Sequence, residues 1–362
     1  MNEPSSFDVR RSYATVLLAA TLAMNANNSN SFAAEPMNVS PPRPIGQIER
    51  LDPQLDELIA PDAQIEVLAE DFQWSEGPVW HRAGDGLLFC DIPRNSVYKW
   101  SDGGGLELFL RPSGYTGADP RGGELGSNGL IIDDKGHLIL CQHGDRRVAR
   151  LAAPLDAKKK PEANFVTVAE RWEGKRFNSP NDLVRHKSGA IYFTDPPYGL
   201  LKGGDPKTAE VDFNGVYRVA PDGKVTLVTR VMTKPNGLAL TPDQKTLYIG
   251  QSDGDAPLWR AFPVKDDGSL GEPKVFFDAT ALAKAGAKGS PDGMKVDRHG
   301  NVFATGPGGV LVISPQGKHL GTIGTGQSIA NCAFGGDDGG TLYMTSHMFL
   351  CRVKVKTQRV GF

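Results

Sequence analysis

The sequence predicts an all-β fold, a six-bladed β-propeller whose ring is closed by an N-terminal strand that completes the last blade. Three observations predict it. A strand-turn-strand unit recurs six times, a further β-rich segment precedes each unit, and a polar residue opens every copy at the same place.

The copies are EGPVWHRAGDGLLFCDI from Glu76, SNGLIIDDKGHLILCQH from Ser127, PNDLVRHKSGAIYFTDP from Pro180, PNGLALTPDQKTLYIGQSD from Pro235, PDGMKVDRHGNVFATGP from Pro291 and ANCAFGGDDGGTLYMTSH from Ala330. Each sets one apolar strand against another across a turn rich in Gly, Asp or Lys. Their spacing of about 40 to 55 residues is that of propeller blades and exceeds that of helical solenoid units. The segments LELFL near Leu106, FVTVAERW near Phe165, KVTLVTRV near Lys224, KVFFD near Lys274 and HLGTI near His319 read as outer strands. A similar segment, QIEVLAEDF from Gln64, stands ahead of the first copy, and the last copy has no such strand of its own. Pairing the two removes an exposed sheet edge, so the N-terminal segment is expected to finish the last blade.

One domain over residues 62–362 is expected, preceded by a Pro-rich arm over 35–61 that lies on the propeller and carries a short helix near Leu51 to Ile59. Residues 1–34 read as an export signal: Arg10 and Arg11, then the apolar run Ala14 to Met24, then Ser31-Phe32-Ala33 as a small-x-small cleavage site. That run is too short to span a bilayer, so a periplasmic or secreted protein with no membrane segment in its mature form is expected. With 362 residues, a formal net charge of −2 and 23% charged residues, the chain lacks the basic footprint of a nucleic-acid binder. The expected partner is a small molecule, and the expected state a monomer or weak oligomer. Cys90, Cys141, Cys332 and Cys351 make no CxxC pair, which argues against a thiolate zinc site. Cys90 and Cys141 occupy the same place in neighbouring apolar strands and read as small buried hydrophobes.

In a blade the innermost strand starts at one face of the ring and its antiparallel neighbour returns there. The start register reads Glu76, Asn128, Asn181, Asn236, Asp292 and Asn331; the return register reads Asp91, His143, Asp195, Asp253, Gly306 and His347. Singly, Asn or Asp before Gly is a turn former. Turn chemistry does not call for Glu76, nor for six oxygen-bearing side chains at one place around a channel. Two carboxylates with several carboxamide oxygens and no thiolate are hard ligands, which suit calcium better than zinc or magnesium.

At these residues the sequence resembles the gluconolactonase and senescence-marker-protein (regucalcin) family of six-bladed propellers, and most of all its bacterial gluconolactonase branch. The strings SEGPVW, PSGYTG, GSNGL, CQHGDRRVARL, RFNSPNDLV, IYFTDPPYG, KPNGLAL and SPDGMKVD carry the resemblance. It implies a divalent cation held by Glu76, Asn181, Asn236 and Asp292. Asn181 is matched through the Asn-Asp pair of SPNDLV, with Asn178 of RFN as the competing match. The Arg that some members place on substrate two residues earlier is Ser179 here.

A calcium-dependent hydrolase opening a sugar lactone follows from that resemblance. The lactone carbonyl would lie beside Asn128 and Asn181, and Asp292 would take a proton from the attacking water, with His143 as the rival base. Asp195 and His347 are candidates for orienting substrate hydroxyls, and Tyr115 and Tyr198 for lining the pocket. Asp195 also suits a turn, and His143 a hydrogen-bonded loop position ahead of Gly144. Open alternatives are a phosphotriesterase or arylesterase on the same metal, a non-catalytic sugar- or protein-binding propeller with a structural ion, and a quinone-dependent oxidoreductase.

Overall fold

The structure is a computed structural model of the chain that describes residues 42–201 and 208–359; the segment read as an export signal lies outside the described residues. Six sheets of four or five strands form the blades of a propeller. The innermost strands are Ser75–His81, Ser127–Ile132, Leu183–Arg185, Pro235–Leu240, Met294–Val296 and Asn331–Gly335. Each contacts the next in cyclic order, and the sixth contacts the first.

Strand composition explains the ring. Both faces of a blade are covered, so its second strand is apolar at nearly every position and alternate residues serve opposite neighbours. In Gly86–Asp91, Leu87 and Phe89 join a cluster with Tyr343 of the sixth blade, while Leu88 and Cys90 join one with Leu138 and Leu140 of the second. In Leu138–Gln142, Ile139 and Cys141 pack instead toward Phe193 and Tyr217 of the third. Six apolar clusters arise this way, one between each pair of neighbouring blades. All four cysteines are buried within them and free.

The expected closure is present. Ile65–Ala69 pairs antiparallel with Phe349–Lys354, placing Leu350 opposite Ala69 and Cys351 opposite Val67. The five segments read as outer strands occupy those positions in the other blades. The arm is woven in more tightly than expected: Arg43–Pro44 adds a fifth strand to the last blade, and Gln47–Arg50 adds one to the fifth blade against His319–Gly324. Gly46, at φ 66°, makes the step between them, and a Cβ there would lie 1.9 Å from the Gly324 carbonyl oxygen. The helix expected from Leu51 to Ile59 is a single turn, Leu55–Leu58. The N–H groups of Leu51 and Asp52 both bond to the Leu320 carbonyl, which holds that stretch against the fifth blade. Leu55, Leu58 and Ile59 then fill the cluster between the fifth and sixth blades.

Candidate active site

Five of the six start-register residues, Glu76, Asn128, Asn181, Asn236 and Asp292, line one cavity of about 410 Å³ at the mouth of the ring. They meet there because neighbouring innermost strands approach closely at the following residue. A Cβ on Gly77 would lie 1.9 Å from the Asn128 carbonyl oxygen, and one on Gly237 would lie 2.1 Å from that of Asp292. Pairing is irregular at the same points, between Glu76 and Val79, Ser127 and Leu130, and Pro235 and Leu238. The Asn-Gly strings are therefore the bulged starts of strands and not hairpin turns.

The donor atoms fit a hard cation. The Oδ1 atoms of Asn181 and Asn236 are buried without a hydrogen-bond partner, although buried acceptors are nearly always paired. Asn236 is oriented by its Nδ2, which donates to Ser252 Oγ at 2.8 Å. Glu76 is sealed at 1% exposure, and its Oε2 accepts from Gly77 N–H at 2.8 Å and Asn331 Nδ2 at 3.2 Å. Burial, with Asp182 nearby, raises its pKa to about 8. Burial and then the charges of Glu76, Asp182 and Glu124 hold Asp292 well above the usual carboxylate range. Two carboxylates whose pKa values are raised, beside two unpartnered carboxamide oxygens, form a donor set whose chemistry a positive charge would suit. Among the described residues no three His, Cys, Asp or Glu side chains gather around one point; the donor set here is half carboxamide.

Asn331, the sixth start-register residue, stands behind the cavity. Its Nδ2 holds Glu76, and its Oδ1 accepts from Lys295 Nζ at 3.3 Å. Lys295 also lowers the raised pKa of buried Asp182. The other innermost strands carry Val79, Ile131, Val184, Ala239 or Phe334 at the Lys295 position, so this one charge in an apolar column was a readable signal. Glu124 and Trp74 also line the cavity and were missed. Glu124 sits on a loop that has no counterpart in the repeats.

The return register needs correction. Strand pairing sets Ser75 opposite Asp91, Ser127 opposite Gln142 and Pro235 opposite Gln251, so His143 and Asp253 lie one and two residues beyond it. Its members fasten the incoming loop. Asp91 accepts from the N–H groups of Gln73 and Trp74, and Asp195 from those of Asn178 and Ser179 at 2.8 and 2.7 Å. Asp195 is fully buried, its pKa raised to about 7 by that burial, and it lies outside the cavity lining. Ser179 donates to the Pro196 carbonyl and Asn178 to the Phe213 carbonyl, so neither faces the site. His347, at φ 54°, stands one layer back with its ring edge-on to Trp74 at 5.2 Å. Tyr198 does line the cavity, and burial raises its phenol to about 12; Tyr115 lines a different one.

His143 is fully buried and does not line the cavity, so the imidazole is not placed as a base toward it. Its Nδ1 lies 2.7 Å from Glu124 Oε2 and makes it a positioning residue for that carboxylate. We expect His143→Leu to lower kcat/KM about ten- to hundredfold by releasing Glu124, with Glu124→Gln reproducing the loss and the double variant adding little to it. Additive losses in steady-state kinetics would show that the two act separately.

The fold and cavity define a class: a six-bladed propeller with a hard, oxygen-lined site where its channel opens. The family described as SMP-30/Gluconolactonase/LRE-like region matches residues 74–348, and the chain belongs to that family. It is 38% identical over 352 residues to a gluconolactonase of Zymomonas mobilis, covering 94% of each chain. A solved gluconolactonase structure from Xanthomonas campestris superposes with a TM-score of 0.74 at 31% identity, covering 89% of this chain and 99% of that one. A calcium-binding regucalcin from Agrobacterium tumefaciens shares the fold, with a TM-score of 0.61 at 20% identity over 88% of this chain and 98% of that one.

Proposed function

We propose that the chain is a lactone hydrolase of the gluconolactonase type that works with a calcium ion held by Glu76, Asn181, Asn236 and Asp292. The observation that carries the reading is the pair of unpartnered Asn oxygens that line one cavity with two carboxylates whose pKa values burial raises, a set that a cation would satisfy by drawing both carboxylates into the charged form. The likeness to the Zymomonas gluconolactonase over nearly the whole chain supports the substrate class. When bound, the ion supplies Lewis-acid stabilisation of negative charge on the lactone carbonyl oxygen.

The chain's own groups do the rest. Asn128 and Asn181 orient the lactone, and Trp74 and Tyr198 wall the cavity. Asp292 accepts a proton from water as the water oxygen bonds to the carbonyl carbon. The ring C–O bond then breaks, and the proton passes from Asp292 to the departing alkoxide, giving the open-chain hydroxy acid. Asp292 suits this role better than Glu76, which is sealed and held by two donors, because Asp292 lines the cavity and keeps part of its surface open to it.

Hydrolysis of a panel of aldonolactones, aryl esters and phosphotriesters, before and after chelation and with calcium restored, tests the proposal. Calcium-restored turnover of lactones above the other classes is expected. No lactone turnover with saturating calcium would overturn it, and preference for phosphotriesters or aryl esters would reassign the substrate. We extend the proposal to residues 1–34 as an export signal and 35–61 as an arm ahead of the catalytic propeller. Arg10, Arg11 and the apolar run that follows support export. Recovery of full-length chain in the cytoplasm alone would contradict this. No helix among the described residues is long and apolar enough to cross a membrane.

A further inference from the structure

A second cavity, of about 430 Å³, lies beside the first and is lined by Arg121, Arg146 and Arg176 together with Tyr115, Thr116 and Leu200. The two share a wall. Glu124 and Tyr198 face the active-site cavity, while Arg121 and Leu200, a few residues away on the same segments, face the arginine cavity.

Three guanidinium groups line one cavity, where like charges repel: burial, and after it the charge of Arg176, lowers the pKa of both Arg146 and Arg121, against the opposing pull of Glu210 and Asp195 on Arg146 and of Tyr115 and Asp145 on Arg121. Among the described residues none of the three has a carboxylate within hydrogen-bonding distance of its side chain. Arg121 donates to the Gly144 and Gly199 carbonyls, each at 2.5 Å, Arg176 to the Asp145 carbonyl at 2.6 Å, and Arg146 Nε to the Phe177 carbonyl at 2.7 Å. Glu210 makes a long ion pair with Arg146 at 3.8 Å, and its other oxygen accepts from the Arg176 backbone N–H at 2.9 Å, so one carboxylate faces three guanidinium groups. Asp145, the carboxylate in the lining, is already taken by Thr116 Oγ1 at 2.6 Å and Arg147 at 3.0 Å. An independent sign is Arg146 Nη2, which is buried with no acceptor at all. A buried, unmatched donor on a charged group is costly and calls for an acceptor that the protein itself does not supply.

We propose that this cavity is a binding site for a tetrahedral oxyanion, free or as the phosphate of a small monoester, held by Arg121, Arg146 and Arg176. Guanidinium groups suit such ligands because their planar forks donate in parallel to two oxygens. The site is separate from the catalytic cavity, so its occupant is a second ligand and not the lactone's reacting group.

Calorimetric titration with sulfate, which stays dissolved beside calcium, tests the site; glycerol 3-phosphate in a second arm separates free oxyanion from monoester. Saturable binding of one sulfate per chain is expected. Arg146→Met and Arg176→Met should each weaken it about tenfold or more, the loss of a charge-assisted hydrogen bond, while Asp292→Asn leaves it unchanged. Arg176→Met is the milder change, because this half-buried side chain makes one hydrogen bond, and thermal melts check that both variants fold. Tighter binding of glycerol 3-phosphate than of sulfate would identify the monoester as the ligand, and the reverse the free ion. Absence of saturable binding, equal binding by folded arginine variants, or loss of binding in Asp292→Asn would overturn the proposal.

Discussion

Asp292→Asn is expected to lower kcat for lactone hydrolysis by about a thousandfold while the protein stays folded and still binds calcium. The substitution keeps the volume and one oxygen but removes the group that takes the proton. The neighbouring oxygens of Glu76 and Asn236 remain in place, since Gly77 N–H and Asn331 orient the first and Ser252 the second, and Asp292 orients neither. Removing one of several carboxylates crowded in a buried cavity also relieves repulsion on Glu76, so the metal-free variant should melt no lower than the parent. Steady-state kinetics with calorimetric calcium titration separate the outcomes. Activity within tenfold of the parent would exclude Asp292 as the base. A large drop in melting temperature with unchanged turnover would instead point to a structural ion.

Calcium affinity should rise steeply with pH and then level off near pH 8, the value to which burial raises Glu76. The sign follows from proton linkage. In the metal-free protein Glu76 keeps its proton between 4.5 and about 8, whereas the unfolded chain has lost it, so the proton-holding fold is stabilised at low pH and loses that stability as pH rises through about 8. A cation must displace the proton, so its affinity climbs by up to about tenfold per pH unit for each proton released. Asp292, raised in the same direction, adds to the effect. Melting curves with and without chelator from about pH 5 to pH 9 should diverge as pH rises, calcium rescuing most where the metal-free protein is weakest. Calorimetry in two buffers of different ionisation enthalpy reads the released proton directly. A calcium affinity independent of pH would contradict the picture of a proton-filled site.

Much of the site was legible because it repeats. Glu76, Asn128, Asn181, Asn236 and Asp292 each open a copy of the same unit, and a ring turns one repeated position into one location. Readings that relied on counting residues to the far end of the second strand failed. Strand pairing places Gln142 and Gln251, and not His143 and Asp253, where Asp91 stands in the first blade, a difference of one and two residues that residue type alone does not reveal. Glu124, Trp74 and Lys295 went unread for a different reason: they come from an unrepeated loop, the lead-in to a strand and an apolar column, and only their shared surroundings join them.

Local sequence alone determined the blade count, the outer strands, the ring closure by Ile65–Ala69 and the identity of the residues at the mouth, because alternation and repeat spacing report directly on strands buried on both faces. Tertiary structure alone decided which oxygens are left unpaired, that His143 serves Glu124 from behind, that the arm supplies strands to two blades, and that three arginines surround a second cavity. Those outcomes depend on distances between residues far apart in the chain, and a hydrogen bond satisfied or missed at 3 Å leaves no periodic trace in the sequence.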